Sequence, residues 1–325
     1  MRGWMLLMRT SLSLMHAWRL LGQAAGRLGR AGVAPSSWQA QARHPRLAVL
    51  KSAKGLDGGP APAMTMKKRR RLVATCLWLA LAGLLFAPAA VQADPSALWN
   101  IVHGQCVPHE ESAHNPAPCA KVDLSGGVRK GYALLKDING VAQYLLIPTT
   151  HISGIEDPAI LAPDAVNYWQ AAWQARSLLD QRLHTTLPRD DVSLVINSAY
   201  GRTQNQFHIH IDCVRPEVRD ALHANLNKIG VIWMPFPVAL AGHHYLALRV
   251  NQDTLLGEDP FKVLANQVDD ARNDMGKYTL VVVGMTFPDG SRGFVLLTDH
   301  ASLLAGDRAS GVQLQDHSCA FARKE

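Results

Sequence analysis

Short apolar blocks separated by turn residues run through the middle of the chain, a pattern typical of β-strands. Residues 132–136 and 143–148 are two such blocks, and the Asn-Gly turn between them indicates a hairpin. Apolar residues at helical spacing predict a helix that Asp164 caps and that runs to about residue 182. Two more strands are predicted, at residues 192–197 and 206–214. The pattern therefore predicts an antiparallel sheet with a helix on one face.

The last third of the chain shows the same mixture of elements. Helical patterns at residues 217–228 and 260–273 alternate with strand patterns at residues 243–250, 278–285 and 293–298. The order strand, glycine turn, strand, histidine, serine occurs twice, ending at Ser153 and Ser302, which suggests a degenerate repeat as a hypothesis. The sequence thus predicts an α+β fold, with one sheet domain at residues 94–215 and a second α+β half at residues 216–325 packed on it.

A basic cluster and an apolar run precede this body. Five basic residues follow Met66, an uncharged run extends from Leu72 to about Ala90, and Val91-Gln92-Ala93 ends it, which is the layout of a signal peptide. The run also has roughly the ~20 residues that span a bilayer, so a signal anchor is the alternative. Because the basic flank stays in the cytoplasm, everything after residue 93 is predicted to face the periplasm or the cell exterior.

Residues 1–65 are predicted to form no domain of their own. Met64 and Met66 are both suitable starts for a signal sequence, so we interpret this stretch as an upstream start choice. An amphipathic cytoplasmic extension, indicated by the Arg and Leu spacing within residues 1–31, is the alternative.

The charge is unevenly distributed along the chain, which changes how the basic total is interpreted. The 325 residues carry a formal net charge of +7, but residues 1–93 contain 14 of the 33 basic residues and one of the 26 acidic ones, a net charge of +13. The remainder carries a net charge of −6. A mildly acidic body lacks the broad positive surface that binds polynucleotides, so nucleic acid is not an expected partner.

The cysteines indicate disulfide bonds. Four of the five cysteines lie after the predicted export signal, where disulfides form, and four thiols allow three connectivities. Cys106 and Cys119 bracket a short Pro-rich loop, which favours their pairing and leaves Cys213 for Cys319. Four free buried thiols are the alternative.

Candidate chemistry is concentrated in the strand pattern at residues 206–214. Because side chains alternate along a strand, His208, His210 and Asp212 should share one face, with Phe207, Ile209 and Ile211 on the other. Three interpretations fit this layout. The residues are an exposed polar face, or ligands of a metal ion, or a site in which one neutral imidazole attacks phosphorus.

Two separate motifs resemble the histidine-triad (HIT) nucleotide-binding superfamily. In the first, Asn197 ends a strand, a Gly-containing loop follows, and Gln204 precedes the pair His208 and His210; in the second, Leu146-Ile147-Pro148-Thr149-Thr150-His151-Ile152 ends a strand. The resemblance covers about residues 132–214. It implies a HIT-like antiparallel sheet with flanking helices and a catalytic histidine.

The register of the first motif places the nucleophile on His210 and its partner on His208. The third position of the triad holds Asp212 in place of the usual histidine. The other register would make His208 the nucleophile, but Asn197 and Gln204 then fall two positions out of step.

Within that superfamily, residues 94–325 are similar to the bacterial CDP-diacylglycerol pyrophosphatase family. Residues 98–103, 116–119, 168–176 and 205–213 carry this similarity. It implies hydrolysis of CDP-diacylglycerol to CMP and phosphatidate through a cytidylyl-histidine intermediate, with no metal or other cofactor. It also implies a bacterial inner-membrane protein with a single N-terminal span and a periplasmic catalytic domain that works at the membrane surface.

The resemblance also implies a set of substrate-binding residues. Asn197 is expected near the ribose and His151 as a support of the site, while Gln204 and Asn205 are expected to bind phosphate oxygens and Asp212 to replace the third histidine. Positive charge could come from Arg202 or Lys130. The adjacent pair His243-His244 is interpreted as structural, and Trp233-Met234-Pro235-Phe236-Pro237 suggests an apolar groove for acyl chains.

Two alternatives to a hydrolase remain. A nucleotidyltransferase that passes CMP to an alcohol or phosphate acceptor would use the same intermediate. A periplasmic metal-binding protein would use His208, His210 and Asp212 as ligands.

Overall fold

The computed structural model describes residues 94–323. Within this range, no helix combines the length and the apolar character needed to cross a bilayer. The predicted extension at residues 1–65 and the predicted signal at residues 66–93 lie outside the described residues, so both stay predictions.

The nine strands of the described residues form one antiparallel sheet in the order β1-β2-β3-β5-β4-β8-β9-β7-β6. The strands are β1 (Lys121–Asp123), β2 (Tyr132–Lys136), β3 (Tyr144–Pro148), β4 (Val192–Ile196), β5 (Ile209–Cys213), β6 (Met234–Pro235), β7 (Leu246–Val250), β8 (Tyr278–Thr286) and β9 (Arg292–His300). The strand of His210, β5, lies between β3 and β4. The predicted α+β class is confirmed.

Helices pack on the sheet and are held by local signals at their ends. They are α1 (Ala97–Ile101), α2 (Val107–Ala113), α3 (Tyr168–Ala175), α4 (Ser177–Leu183), α5 (Pro216–Ala224) and α6 (Pro260–Gln267), with a π-helical turn at Val102–Cys106 between the first two. The side chain of Asn167 accepts a hydrogen bond from the Gln170 backbone, and that of Asp259 accepts one from Phe261, so both act as N-caps.

One face of the sheet packs against α3, α4 and α6. Phe207 is fully buried there, with its ring centroid 5.5 Å from that of Tyr168 and 5.7 Å from that of Phe261. Burial of one such ring contributes about 1.5–3 kcal/mol. Since Phe207 directly precedes His208, this core fixes the backbone at the entry to the histidine strand.

The opposite face carries two separate cores. Leu145 and Ile147 of β3 pack under α1 and α2, whereas Val195 of β4 packs with Val218 and Leu222 of α5. Between them runs β5, whose residues on this face are polar. The polar residues of β5 therefore lie between two hydrophobic clusters on this face of the sheet.

Some predicted boundaries were wrong. The helix predicted from Asp164 is two helices, α3 and α4, and it begins at Tyr168 because Asn167 caps it, while Asp164 is exposed and lies 3.6 Å from the ammonium of Lys130. The histidine strand begins at Ile209, because the preceding residues bond to the loop after β3. Helices cover both faces of the sheet, whereas the sequence pattern predicted a helix on one face only. The helices at residues 97–113 were not predicted.

Elements of the last third were predicted too long. The two helices there end at Ala224 and Gln267, each followed by a separate 3-10 turn, Leu226–Lys228 and Ala271–Asn273. The strand predicted from residue 243 begins at Leu246.

Both predicted disulfides are present. Cys106 bonds Cys119, and Cys213 bonds Cys319. The second bond links the end of β5 to Cys319, which lies 106 residues further along the chain.

One sheet includes strands from both predicted halves, since β4 pairs with β8. The two copies of the proposed repeat, β2–β3 and β8–β9, differ in how they join the sheet. The next neighbour of β3 is β5, which follows it in the chain, whereas the next neighbour of β9 is β7, which precedes it. The domain boundary at residue 215 stays a prediction.

Candidate active site

The polar face of β5 is built by strand alternation. Phe207, Ile209 and Ile211 belong to the core under α3, so the side chains between them project to the other face. On that face His210 is directly opposite Leu145 of β3 and Val195 of β4. The ring centroids of His208 and His210 are 4.8 Å apart with the rings edge to face.

His208 is fixed by the backbone two residues before it. It is 7% exposed, and its Nδ1 lies 2.7 Å from the carbonyl oxygen of Gln206. The side chain of Gln206 in turn donates to the carbonyl of Thr150, and the Phe207 N–H donates to that of Ile152. Because a carbonyl only accepts, Nδ1 of His208 must carry the proton. In the neutral ring, Nε2 of His208 then holds the lone pair.

His210 is fixed by a side-chain relay. Its Nδ1 lies 2.6 Å from the Gln143 side-chain nitrogen, which also donates to the carboxylate of Asp137 at 3.0 Å. An amide NH2 group has two hydrogens, one for each acceptor. Nδ1 of His210 therefore accepts, and the proton of the neutral ring lies on Nε2. That Nε2 is buried and has no partner among the described residues.

Both imidazoles are held neutral. Burial lowers the pKa of His208, and it lowers the pKa of His210 well below its usual value; repulsion from His208 and His317, whenever those rings are protonated, acts in the same direction. A neutral imidazole can attack phosphorus, whereas a protonated one cannot.

Asp212 is fully buried, and its carboxylate lies 2.7 Å from Nδ1 of His317 on the C-terminal segment. Its other oxygen accepts from the Cys213 backbone. Burial raises the pKa of Asp212 against the influence of His317, and Asp212 raises the pKa of His317. The C-terminal segment thus covers this end of β5.

The residues predicted to bind substrate occupy different positions. Asn197 is 7% exposed, and its side-chain oxygen accepts from the Val312 backbone at 3.3 Å. The Gln204 side chain is bonded to α1 and to the residues before it: it accepts from Leu98 N–H in the first turn of α1 and donates to the Asp94 carbonyl. Their binding roles stay predictions.

The remaining residues that were predicted to contact the substrate or supply positive charge differ in exposure and in their partners. Asn205 is exposed, and His151 is exposed with its ring 5.2 Å from that of Trp99. Arg202 forms a two-pronged ion pair with Glu156 at 2.5 and 2.6 Å, so its charge is already matched. Trp233 packs against the core with its indole N–H buried and without a partner among the described residues.

Potential metal ligands converge at two other places. Among the described residues, the groups of three whose ligand atoms lie within 4.8 Å of one another are Asp212 with Cys213 and Cys319, and His243 with Asp299 and Asp307. The first pairs a carboxylate with a disulfide, whose sulfurs are not thiolates. The set His208, His210 and Asp212 does not converge in this way.

Sequence reasoning missed Gln143, Asp137 and His317. The position of Gln143 could have been predicted, because it lies two residues before Leu145 and four before Ile147. Alternation along the strand therefore places it on the same face as these residues, which is the face of the histidines. Asp137 lies in the predicted hairpin turn, where an aspartate is common and gives no sign of a catalytic role. His317 offered no local signal, since its partner lies 105 residues away.

Comparisons with known proteins agree on one family. The family model described as CDP-diacylglycerol pyrophosphatase matches residues 93–323. A protein of Yersinia pestis named CDP-diacylglycerol pyrophosphatase is 42% identical over 256 residues, which cover 78% of this chain and 95% of that protein.

Proposed function

The chain belongs to the CDP-diacylglycerol pyrophosphatase family, and on that premise we propose that it hydrolyses CDP-diacylglycerol to CMP and phosphatidate at His208 and His210, where β5 begins. The observation that carries the mechanism is the hydrogen bond from His208 Nδ1 to the Gln206 carbonyl. It leaves a lone pair on Nε2 of a neutral ring, which is what a nucleophile toward phosphorus requires.

The proposed reaction has two displacements. In the first, Nε2 of His208 forms a bond to the cytidylyl phosphorus, the bond from that phosphorus to the bridging oxygen breaks, and phosphatidate leaves. In the second, the oxygen of a water attacks the same phosphorus, the N–P bond breaks, and CMP leaves with the neutral imidazole restored. A proton of that water ends on solvent or product. The intermediate is a cytidylyl-histidine.

The division of work between the two histidines rests on their tautomers. The sequence register predicts His210 as the nucleophile. The relay from Asp137 through Gln143 supports another role, because it leaves a proton on the buried Nε2 of His210. A buried donor without a partner can bind an oxygen of the transferring phosphoryl group as negative charge develops there. We therefore assign attack to His208 and charge stabilisation to His210.

Several finer roles belong to the same proposal. Asn197 lies on the histidine face at the end of β4, which supports contact with the nucleoside. His151 and Asn205 are exposed on neighbouring loops, which supports contact with the substrate. The predicted export signal and bilayer tether would concentrate the enzyme on a lipid substrate and place the site in the periplasm.

The test is to trap the intermediate. The full-length protein is mixed with CDP-diacylglycerol carrying a radiolabel in the cytidylyl phosphate, quenched in base, and examined for protein-bound label that acid releases. We expect the adduct in the wild type, no adduct in His208→Ala, and a slowly formed adduct in His210→Ala. His244→Ala, at an exposed histidine, is the matched control.

Each other outcome has a defined meaning. Loss of the adduct in His210→Ala with retention in His208→Ala would restore the register interpretation. Normal turnover in both variants would overturn the histidine mechanism altogether. An added alcohol that takes up the CMP group in competition with water would identify a transferase.

A further inference from the structure

A second cluster of ionisable groups lies at the same end of the sheet as the histidine pair. His243 precedes β7, Asp299 lies near the end of β9, and Asp307 lies on the loop that follows β9. Nδ1 of His243 is 2.6 Å from the carboxylate of Asp307 and 3.7 Å from that of Asp299. The proposed phosphorus chemistry uses none of these residues.

Asp299 is the unusual member of the cluster. Its side chain is only 10% exposed, and one oxygen accepts from the His300 backbone. The other oxygen is buried without a hydrogen-bond partner among the described residues, and it faces His243. A buried carboxylate oxygen without a donor is costly, and a bound cation would offset that cost.

The cluster also carries an excess of negative charge. Within the described residues, the ion pairs of Asp299 and Asp307 involve one cationic partner, His243, which is neutral unless protonated. Two carboxylates therefore share at most one positive charge. A divalent cation would correct this excess of negative charge.

The spacing of the three atoms fits a small metal ion. Their ligand atoms lie within 4.8 Å of one another. Zinc binds His nitrogen and Asp oxygen at about 2.0–2.2 Å in a tetrahedral arrangement, which separates neighbouring ligands by roughly 3.3–3.6 Å. The two observed distances from His243 fall on either side of that value. Small side-chain shifts are enough to reach it.

We infer that His243, Asp299 and Asp307 bind a divalent transition-metal ion of the Zn²⁺ type. An imidazole among the ligands favours such an ion over Ca²⁺ or Mg²⁺, which prefer oxygen. The metal takes the Nδ1 lone pair of the neutral His243 ring, and the ring proton resides on Nε2. Three protein ligands leave a further position for water.

The bound ion would stabilise the loop of residues 301–309, which follows β9. Ser302 and Asp307 exchange two backbone hydrogen bonds, and the residues after Asp307 support the loop of Asn197: Ser198 bonds the carbonyls of Arg308 and Ala309. An ion at Asp307 therefore fixes the segment that backs the Asn197–Gly201 loop beside the histidine site.

The test measures metal binding directly, so it does not depend on the proposed activity. The full-length protein is stripped with a chelator and titrated with Zn²⁺ by equilibrium dialysis. We expect one tight site per chain, weakened more than about tenfold in Asp299→Asn and in His243→Ala and unchanged in His244→Ala. A circular dichroism spectrum and a thermal unfolding midpoint, taken without metal, show whether each variant is folded.

Three results would overturn the inference. The first is the absence of Zn²⁺ binding in the stripped wild type, which decides the matter whatever the variants do. The second is binding that is lost in His208→Ala and retained in His243→Ala, which would move the metal to the histidine pair. The third is tighter binding of Ca²⁺ than of Zn²⁺ at the same site, which would exclude the transition-metal class.

Discussion

The rings of His208 and His210 lie 4.8 Å apart on the same face of the sheet, yet they are anchored by opposite kinds of partner. A backbone carbonyl accepts from Nδ1 of His208, whereas a side-chain amide donates to Nδ1 of His210. Two residues of the same type are thereby given complementary tautomers. One offers a lone pair at Nε2 and the other a proton, which is the pairing that attack on a phosphate group needs.

Replacement of Gln143 tests this arrangement without touching either histidine. In Gln143→Leu, His210 loses the donor at Nδ1, so its proton is no longer held on Nε2. We expect kcat to fall on the order of 10²-fold, as for a displaced catalytic group, with KM nearly unchanged. Steady-state kinetics with CDP-diacylglycerol in mixed micelles measures both. Gln174→Leu, at an exposed glutamine on α3, is the control, and an equal loss of kcat there would contradict the relay.

The polar face of β5 and the Cys106–Cys119 disulfide could be predicted from local information, whereas the Cys213–Cys319 disulfide, whose cysteines lie 106 residues apart, followed only as the remaining pair. Alternation alone puts His208, His210 and Asp212 together, and the short Cys106–Cys119 loop favours its own closure. The partners of the histidines could not be predicted in the same way. The contact of Gln143 with His210 depends on the β3–β5 register, in which Leu145 is opposite His210, and a single sequence does not contain that register.

The pH dependence of the reaction follows from the lowered pKa of His208. An attacking imidazole must be neutral, and burial lowers the pKa of this ring below the ordinary histidine value of 6.5. The rate should therefore persist as the pH falls through 6.5 and decline only below it. The acid limb of kcat/KM against pH measures this. A midpoint above 6.5 would contradict a buried neutral nucleophile.

The Asp212–His317 pair should stabilise the fold in a defined pH range. His317 has a raised folded-state pKa, so its contribution is complete below 6.5 and is lost as the pH rises through the folded value; it also needs an ionised Asp212, whose own pKa is raised. His317→Gln should therefore lower the free energy of unfolding by about 1 kcal/mol near pH 6, since solvent screens a pair in which His317 is 44% exposed, and by less at pH 9.

Denaturant unfolding at the two pH values measures the difference. His244→Gln removes an exposed histidine and should change neither value. An effect of His317→Gln that is the same at both pH values would indicate a role for packing alone.

Gln204 offers the sharpest choice between a binding role and a structural one. One end of its side chain accepts from Leu98 N–H in the first turn of α1, and the other donates to the Asp94 carbonyl just before that helix. In Gln204→Ala we expect amide hydrogen exchange in α1 to accelerate, because two hydrogen bonds worth about 0.5–1.5 kcal/mol each are lost, while KM changes by less than about threefold. Thr203→Ala, at the exposed neighbouring position, should leave the exchange unchanged. A tenfold or larger rise in KM with normal exchange in α1, roughly 1.4 kcal/mol of lost binding, would instead support the predicted phosphate contact.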